Sequence, residues 1–464
     1  MKQHSFLTAL CLLFAAVPIT GQTIKSSMEF APSEHWVKPV EKPYREEICL
    51  NGTWAFAPVQ LPAGFKEGET PAPALPGVNE VTFSKTPIRI PSPWNVNSFA
   101  DKNGLGGDHR TYPSYPKEWE SIKMGWLQKK FTVPASWKGK RIQIHFEAVA
   151  GKADIYVNGK AVGNNFDIFM PFDIDITDAV KFGQENTLNV GIQKSSLFDD
   201  RKSPLGRRTY QGGSFWGQHI AGIWQDVYLV ALPQTRVADV YIQPIVNKNT
   251  LEVEVTLRND ENKPVEVNIS AAAYPWISKA GKTVLTAANP SSQLGSQAAL
   301  QMPTQKVTIP AGKEIKTTLK TTVDNKLKLW SPSSPNLYGL VVKTSVNGKT
   351  NDSKYTRFGW RQTELKEGKF WLNGKPFVLK GDSWHYMGIP QMTRRYPWAW
   401  YTALRDANCN AVRLHAQPFP SFYLDVADEM GILVLDESAM WASDGGQKLG
   451  SEEFWKCSEE TRIA

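Results

Sequence analysis

Short runs of β-branched and aromatic residues, separated by proline, glycine and asparagine, recur from about residue 30 to residue 356. Runs such as RIQIHFEAVAGKADIYV and TLEVEVTLRND alternate apolar and polar residues with a period of two. This alternation sends one row of side chains into a core and the other row into solvent, as in half-buried strands. Helical periodicity is absent from this stretch of sequence. We therefore expect most of the chain to fold as antiparallel β-sandwiches.

Two β-rich segments follow one another. In the first, residues 23–232, the pair Asn158-Gly159 lies between the apolar runs ADIYV and KAVG, which is a strong signal for a two-residue hairpin turn. We predict an all-β jelly-roll sandwich for this segment. In residues 233–356, about seven short strand-like runs favour an immunoglobulin-like β-sandwich, although the paired cysteines of antibody domains are missing.

The pattern of apolar and polar residues changes at about residue 357. The apolar runs FVLKGDS, NAVRLH and ILVLDES alternate with two helix-compatible stretches, PWAWYTALRDAN and PSFYLDVADEMG. Strands that alternate with helices indicate βα units and a parallel sheet. We expect residues 357–464 to form the first three βα units of an incomplete (β/α)8 barrel, in which functional groups collect at the carboxyl ends of the strands. The predicted chain is thus multidomain.

Residues 1–22 have the layout of a signal peptide. Lys2 and His4 precede the apolar run Phe6–Val17, and small residues follow near Gly21. About a dozen apolar residues are too few to span a bilayer. We predict cleavage near Gly21, export to the periplasm or the medium, and no membrane span.

Charge and cysteine content argue against several functions. The net charge of +8 is spread thinly along 464 residues, without the basic block that marks a nucleic-acid-binding surface. The cysteines are widely separated and form no CxxC or Cys/His cluster, so we expect isolated buried thiols rather than disulfides or a zinc site. The 17 tryptophans are consistent with stacking on sugar rings, but large β-sandwich cores also use tryptophan.

Several stretches, taken in order, resemble glycoside hydrolase family 2. LNGTWAF, IPSPWN, GWLQKKFTVP and DIYVNGKAVG are similar to the opening strands of that family, and LWSPSSPNLY, RFGWRQTELKEGKFWLNGKPFVLKGDSWH and NCNAVRLHAQP are similar to its later parts. Each motif alone is weak, but the ordered set is specific. The resemblance implies a sugar-binding domain, an immunoglobulin-like domain and a barrel that hydrolyses terminal β-linked sugars of oligosaccharides or polysaccharides with retention. We expect no cofactor, and the oligomeric state stays open.

The resemblance also implies roles for residues at the strand ends. Arg413 matches an arginine that holds the nucleophile carboxylate, a role suited to a guanidinium because it stays charged and offers several donors. The alternative is a structural salt bridge within the barrel. His385 matches a histidine that lines the sugar pocket, and the alternative is a core histidine with local partners.

The other candidate residues are less specific. His415 lies one position earlier than the corresponding histidine of the family, which would turn its ring to the other side of the strand end. Asp436 and Glu437 resemble an Asp-Glu pair of the family, with salt bridges at the barrel rim as the alternative. Trp384 and Trp441 are candidates for stacking on sugar, with core packing as the alternative.

Retaining hydrolysis requires two carboxylates about 5–5.5 Å apart. In the family, the acid/base glutamate follows an asparagine on strand four, and the nucleophile ends strand seven. No Asn-Glu pair follows Glu437, so we assign no catalytic residue and expect this chain alone to be inactive. Asp436 and Glu437 are not the pair, because adjacent strand residues point to opposite faces.

Related β-galactosidases carry a magnesium-ligating glutamate where this chain has Trp441, so we predict no metal site. The resemblance places the chain in a hydrolase lineage. Two alternatives remain: a non-catalytic carbohydrate-binding protein, and an inactive truncated product.

Overall fold

The computed structural model describes residues 35–68, 71–95, 115–198, 220–278, 292–386, 391–415 and 417–437. The predicted signal peptide and Trp441 lie outside these residues. No helix within the described ranges is long and apolar enough to cross a membrane.

The first part of the chain is a sandwich of two antiparallel sheets. Its strands are β1 (Glu46–Cys49), β2 (Gly52–Val59), β3 (Ile88–Ile90), β4 (Met124–Thr132), β5 (Arg141–Phe146), β6 (Val149–Val157), β7 (Lys160–Asp167), β8 (Phe172–Asp175), β9 (Glu185–Gln193), β10 (Gly222–Ile223) and β11 (Val227–Leu232). One sheet has the order β1-β11-β5-β8, and the other has the order β10-β6-β9-β4-β2-β3 with β7 paired to β6. The predicted all-β character is confirmed here.

The predicted hairpin turn joins β6 to β7. Asn158 and Gly159 have φ values of 53° and 80°, the left-handed conformations that a tight two-residue turn needs. The Asn158 amide also donates to the carbonyl oxygen of Ala179 at 2.8 Å, which ties the turn to the rest of the sandwich. The local sequence signal and the tertiary packing therefore agree at this turn.

The core of the first sandwich uses much of the tryptophan content. Five tryptophan side chains in it are at most 2% exposed: Trp54, Trp94, Trp119, Trp137 and Trp224. Burial of a large aromatic side chain contributes strongly to stability through the apolar surface removed from water. These tryptophans are core residues, so core packing rather than sugar stacking accounts for them.

The second part is another sandwich. Its strands are β12 (Thr235–Ile245), β13 (Thr250–Asn259), β14 (Val265–Ser278), β15 (Ser292–Leu294), β16 (Leu300–Gln301), β17 (Gln305–Ile309), β18 (Glu314–Thr322), β19 (Trp330–Ser331), β20 (Ser334–Pro335), β21 (Leu337–Val346) and β22 (Lys349–Gly359). One sheet has the order β12-β13-β18, and the other contains β15-β14-β21-β22. There are more strands than the seven or so predicted, because the 14-residue β14 is paired along its length by the short strands β15, β16 and β17.

The third part begins with a small antiparallel sheet and continues with parallel strands. The small sheet consists of β23 (Thr363–Lys366), β24 (Lys369–Leu372) and β25 (Lys375–Pro376). The parallel sheet has the order β26 (Gly381–His385), β27 (Ala411–His415), β28 (Leu433–Leu435). Two helices, α1 (Arg395–Asp406) and α2 (Ser421–Met430), connect successive parallel strands. Gly431, with φ 74°, ends α2 in the left-handed conformation typical of a helix C-terminus.

Buried polar contacts join the three parts. Arg45 donates from Nε and Nη2 to the two carboxylate oxygens of Asp352 at 2.9 and 2.7 Å, and both side chains are at most 2% exposed. Arg357, in β22, donates to Asp425 and to Glu429 of α2, both at 2.6 Å. The second sandwich is therefore anchored to the first sandwich on one side and to the parallel sheet's helix on the other.

Candidate functional site

The carboxyl ends of the parallel strands carry a group of polar side chains on one face. The register pairs Ser383 with Arg413 and His385 with His415. Paired residues on neighbouring parallel strands share a face, and side chains two apart on one strand do so as well. These four side chains therefore project from the same face, and the side chain of Glu437, just beyond β28, reaches them.

Glu437 bridges the arginine and one of the histidines. The Nε and Nη2 atoms of Arg413 each lie 2.6 Å from Glu437 Oε1. Nδ1 of His415 lies 3.3 Å from the other carboxylate oxygen. Charge-assisted hydrogen bonds of this length orient a guanidinium firmly. One carboxylate thus sets the position of both cationic or potentially cationic side chains at the end of β27.

The two imidazole rings touch edge to face. The centroids of His385 and His415 are 4.2 Å apart and their planes meet at 85°. Partial burial lowers the pKa of His385, and the electrostatic interactions with His415 and Arg413 act in the same direction, while the interaction with Glu437 opposes them. The lowered pKa favours the neutral form of His385, whose ring offers one hydrogen-bond donor and one acceptor.

Trp384 and Asp436 have different surroundings from this cluster. Trp384 alternates with His385 along β26, and its ring lies 5.8 Å from that of Trp400 in α1. Desolvation by neighbouring protein atoms raises the pKa of Asp436 to about 6, and the charge of Glu437 acts in the same direction. Burial raises the pKa of Tyr401 in α1, and the negative charge of Asp436 acts in the same direction. The structure therefore brings four of the predicted site residues together (His385, Arg413, His415 and Glu437). Trp384 contacts Trp400 instead, Asp436 interacts with Tyr401 of α1 as well as with Glu437, and Trp441 lies outside the described residues.

Two further residues at the site were not predicted from the sequence. Ser383 shares the face of His385, and its position two residues earlier in the strand was a usable signal. Gln391 donates from Nε2 to the carbonyl oxygen of His385 at 3.1 Å, and its own carbonyl oxygen accepts from the Tyr423 hydroxyl at 2.8 Å. No local pattern marks Gln391, because its role depends on contacts between β26 and α2.

Metal ligands and thiols are the remaining groups that could carry chemistry. Within the described ranges, no group of three or more His, Cys, Asp or Glu side chains is arranged to hold a metal ion. Cys49 and Cys409 are free thiols. The expectation that the thiols are buried is wrong for Cys49, which is exposed because it ends β1, an edge strand of its sheet.

The structure thus has two antiparallel sandwiches in succession, followed by a parallel sheet with polar side chains at its strand ends. Sequence models of the family described as glycosyl hydrolases family 2 match in the same order. The sugar binding domain matches residues 48–233, the central family 2 domain matches residues 235–361 and the TIM barrel domain matches residues 363–462. The chain belongs to glycoside hydrolase family 2.

Proteins that are similar in sequence are named for two different activities. A β-galactosidase of Thermoanaerobacter pseudethanolicus is 29% identical over 367 residues, which cover 76% of this chain and 44% of that protein. A putative β-glucuronidase of Formosa agariphila is 27% identical over 385 residues, which cover 81% of this chain and 40% of that protein. The chain thus spans less than half the length of these relatives.

Solved structures show the same fold. A β-glucuronidase of Bacteroides uniformis superposes with a TM-score of 0.62 at 21% identity, covering 87% of this chain and 44% of that one. A putative β-galactosidase of Bacteroides fragilis superposes with a TM-score of 0.61 at 21% identity, covering 84% of this chain and 52% of that one.

Proposed function

We propose that this chain forms part of an exported, exo-acting, retaining glycosidase that releases terminal β-linked sugars from glycans. The observation that carries the proposal is the cluster of His385, Arg413, His415 and Glu437 on one face at the carboxyl ends of parallel strands. Active sites of β/α barrels are assembled at these strand ends. We further propose that the three parts are a jelly roll, an immunoglobulin-like sandwich and the first βα units of the barrel, and that residues 1–22 direct export.

The cluster supplies hydrogen-bond donors and acceptors that can bind and orient a sugar. Arg413 is held by Glu437, yet 46% of its side chain is exposed, so its guanidinium can donate to a carboxylate or to a sugar oxygen. His385, whose lowered pKa favours the neutral ring, can donate to one sugar hydroxyl and accept from another. These groups bind and orient a substrate; none of them is assigned as the acid/base or the nucleophile.

The two carboxylates of retaining chemistry are not assigned to this chain. The pair must lie about 5–5.5 Å apart across one glycosidic bond. Glu437 already binds Arg413 and contacts His415, whereas the pKa of Tyr401 in α1 is raised by burial and by the negative charge of Asp436. This arrangement supports our proposal that Glu437 positions other groups rather than reacting.

The test combines turnover with binding. The 464-residue chain is assayed on a panel of aryl β-glycosides, and its affinity for methyl β-galactoside and methyl β-glucuronide is measured by calorimetry. We expect no turnover but measurable binding that is lost in Arg413→Met. Turnover by this chain would overturn our proposal that its residues bind the sugar without supplying the catalytic pair.

The second candidate is a non-catalytic carbohydrate-binding protein that uses the first sandwich. The same titration separates the two, because such a site lies away from β27. Binding that is unchanged in Arg413→Met would favour this candidate, and the absence of heat with every sugar would exclude both.

A further inference from the structure

The end of β26 is held from the side opposite the candidate pocket. Tyr386 directly follows His385, so that the two side chains point to opposite sides of the extended backbone. The Tyr386 side chain is fully buried. Its ring lies 5.2 Å from that of Phe419 and 6.0 Å from that of Tyr423. Whatever fixes Tyr386 therefore also fixes the backbone from which His385 projects.

One of the groups that fix Tyr386 belongs to the first sandwich. The ring of Trp224, which follows β10, lies 5.8 Å from the ring of Tyr386 at 60°. Trp224 is fully buried and belongs to the same hydrophobic core as Tyr386. The sandwich and the parallel sheet thus share one continuous core at the residue that follows His385.

The indole of Trp224 is itself held in a fixed orientation. Its Nε1 donates to the carbonyl oxygen of Ile168 at 2.7 Å, in the loop between β7 and β8. That loop is stiffened by Asp167, whose Oδ1 accepts from the backbone N–H groups of Ile168, Phe169 and Met170 at 2.5, 2.6 and 2.9 Å. A side chain locked by packing and by a hydrogen bond can transmit its position to its neighbours.

We infer that Trp224 of the first sandwich is a positioning residue for His385, acting through the ring of Tyr386. The contact of His385 with His415 depends on this support, because Trp224 packs against the ring of the residue that directly follows the imidazole. The relevance of the inference to sugar binding rests on the proposed function of the pocket, but the geometry can be tested without a sugar.

The experiment compares two buried tryptophans of the same core. Trp224→Leu removes the ring beside Tyr386, and Trp54→Leu removes a ring that is 1% exposed and donates to the carbonyl oxygen of Leu50 at 2.8 Å. The readout is the NMR cross-peak between the His385 and His415 rings in the full chain with ¹³C-labelled histidine, assigned with His385→Gln. A merely structural role for Trp224 would lower stability without moving this cross-peak selectively.

We expect Trp224→Leu to weaken the cross-peak about threefold, since a site without its supporting packing is about 1 Å looser and the signal falls with the sixth power of distance. Trp54→Leu should lower the unfolding midpoint but leave the cross-peak unchanged. An unchanged cross-peak in Trp224→Leu, or an equal loss in both variants, would overturn the inference.

A second, more conservative pair of variants tests the inference if Trp224→Leu does not fold. Trp224→Phe keeps an apolar ring but loses the donor to Ile168, and Trp54→Phe is its control. We expect a smaller loss of the cross-peak in Trp224→Phe alone; no difference between the two would count against the inference. Failure of the proposed function would appear separately, as absent sugar binding in the wild-type chain with its ring contact intact.

Discussion

Arg413 and Glu437, 24 residues apart in the chain, form a close ion pair in the candidate site, with Nε and Nη2 of the guanidinium each 2.6 Å from one carboxylate oxygen. The carboxylate's other oxygen faces His415 at 3.3 Å. Glu437 therefore orients the end of β27, and the site depends on it even though it is not assigned a role in bond cleavage.

Replacing Glu437 by glutamine should weaken sugar binding. The change keeps the size of the side chain but removes the charge that holds Arg413. Loss of one charged hydrogen bond to the sugar from a misoriented guanidinium costs about 1.5 kcal/mol, or about tenfold in affinity. Calorimetric titration with methyl β-glucuronide and methyl β-galactoside measures the effect. Asp436→Asn is the matched control, and an equal loss in that variant would contradict the assignment of Glu437 as the organising carboxylate.

Removing the charge of Asp352 should uncouple the two sandwiches. The variant Asp352→Asn leaves the Arg45 guanidinium buried without its ionic partner, which costs about 3–5 kcal/mol in comparable buried pairs. Urea unfolding followed by tryptophan fluorescence gives the loss. The control is Glu266→Gln, which breaks the exposed pair with Lys306 and should leave the midpoint unchanged. Similar midpoints for both variants would show that the buried pair does not join the sandwiches.

The stability of the first sandwich should fall as the pH rises from about 6.5 to about 9. His145 is 7% exposed; its Nδ1 is 2.8 Å from Asp173, and its Nε2 is 3.2 Å from Glu147. Burial alone would lower the pKa of His145, but the hydrogen bonds and charges of these two carboxylates raise it to about 9. A histidine whose folded pKa exceeds the unfolded value stabilises the protein fully below about 6.5 and loses that contribution as the pH passes through the folded pKa.

The expected loss is about 2 kcal/mol, because the exposure of Asp173 reduces the full linkage value. The measurement is a series of urea titrations between about pH 6 and about pH 10, a range that spans both pKa values. In His145→Gln the slope in this window should disappear. A slope that persists in the variant would assign the pH dependence to other groups. Asp226 would contribute in a lower window, since burial raises its pKa to about 6.

Two glycines with nearly the same backbone conformation should respond differently to alanine. Gly374 has φ 76° and open space where the methyl group of an alanine would lie, so Gly374→Ala should cost about 1–2 kcal/mol for the left-handed backbone alone. Gly431 has φ 74°, but an added Cβ would collide with the carbonyl oxygen of Pro332 in the second sandwich. Gly431→Ala should cost about 1–3 kcal/mol more, because the packed contact must open.

Thermal unfolding by calorimetry compares the glycine variants directly. Limited proteolysis adds a local readout, since the collision lies between α2 and the second sandwich. We expect faster cleavage in residues 391–437 for Gly431→Ala only. Equal stability losses and cleavage rates in the two variants would show that the contact with Pro332 does not hold α2 in place.

The sequence determined the local structure of this protein. Alternation with a period of two specified the strands of both sandwiches, and Asn158-Gly159 specified a turn, because only residues tolerant of positive φ fit its two central positions. Gly431 marked the end of α2 for the same reason. The resemblance to family 2, now supported by the family comparison, provided the order of the parts.

Only the tertiary structure decided which side chains meet. Strand register placed Arg413, His385 and His415 on one face, and it sent Trp384 toward Trp400 instead. The contact between Trp224 and Tyr386 joins residues 162 positions apart, counted from 224 to 386. Local patterns reflect the conformational preferences of neighbouring residues, whereas contacts at this distance depend on how whole sheets pack. The sequence therefore pointed to Arg413, His385 and His415, but it could neither pair them nor single out Trp224 and Tyr386.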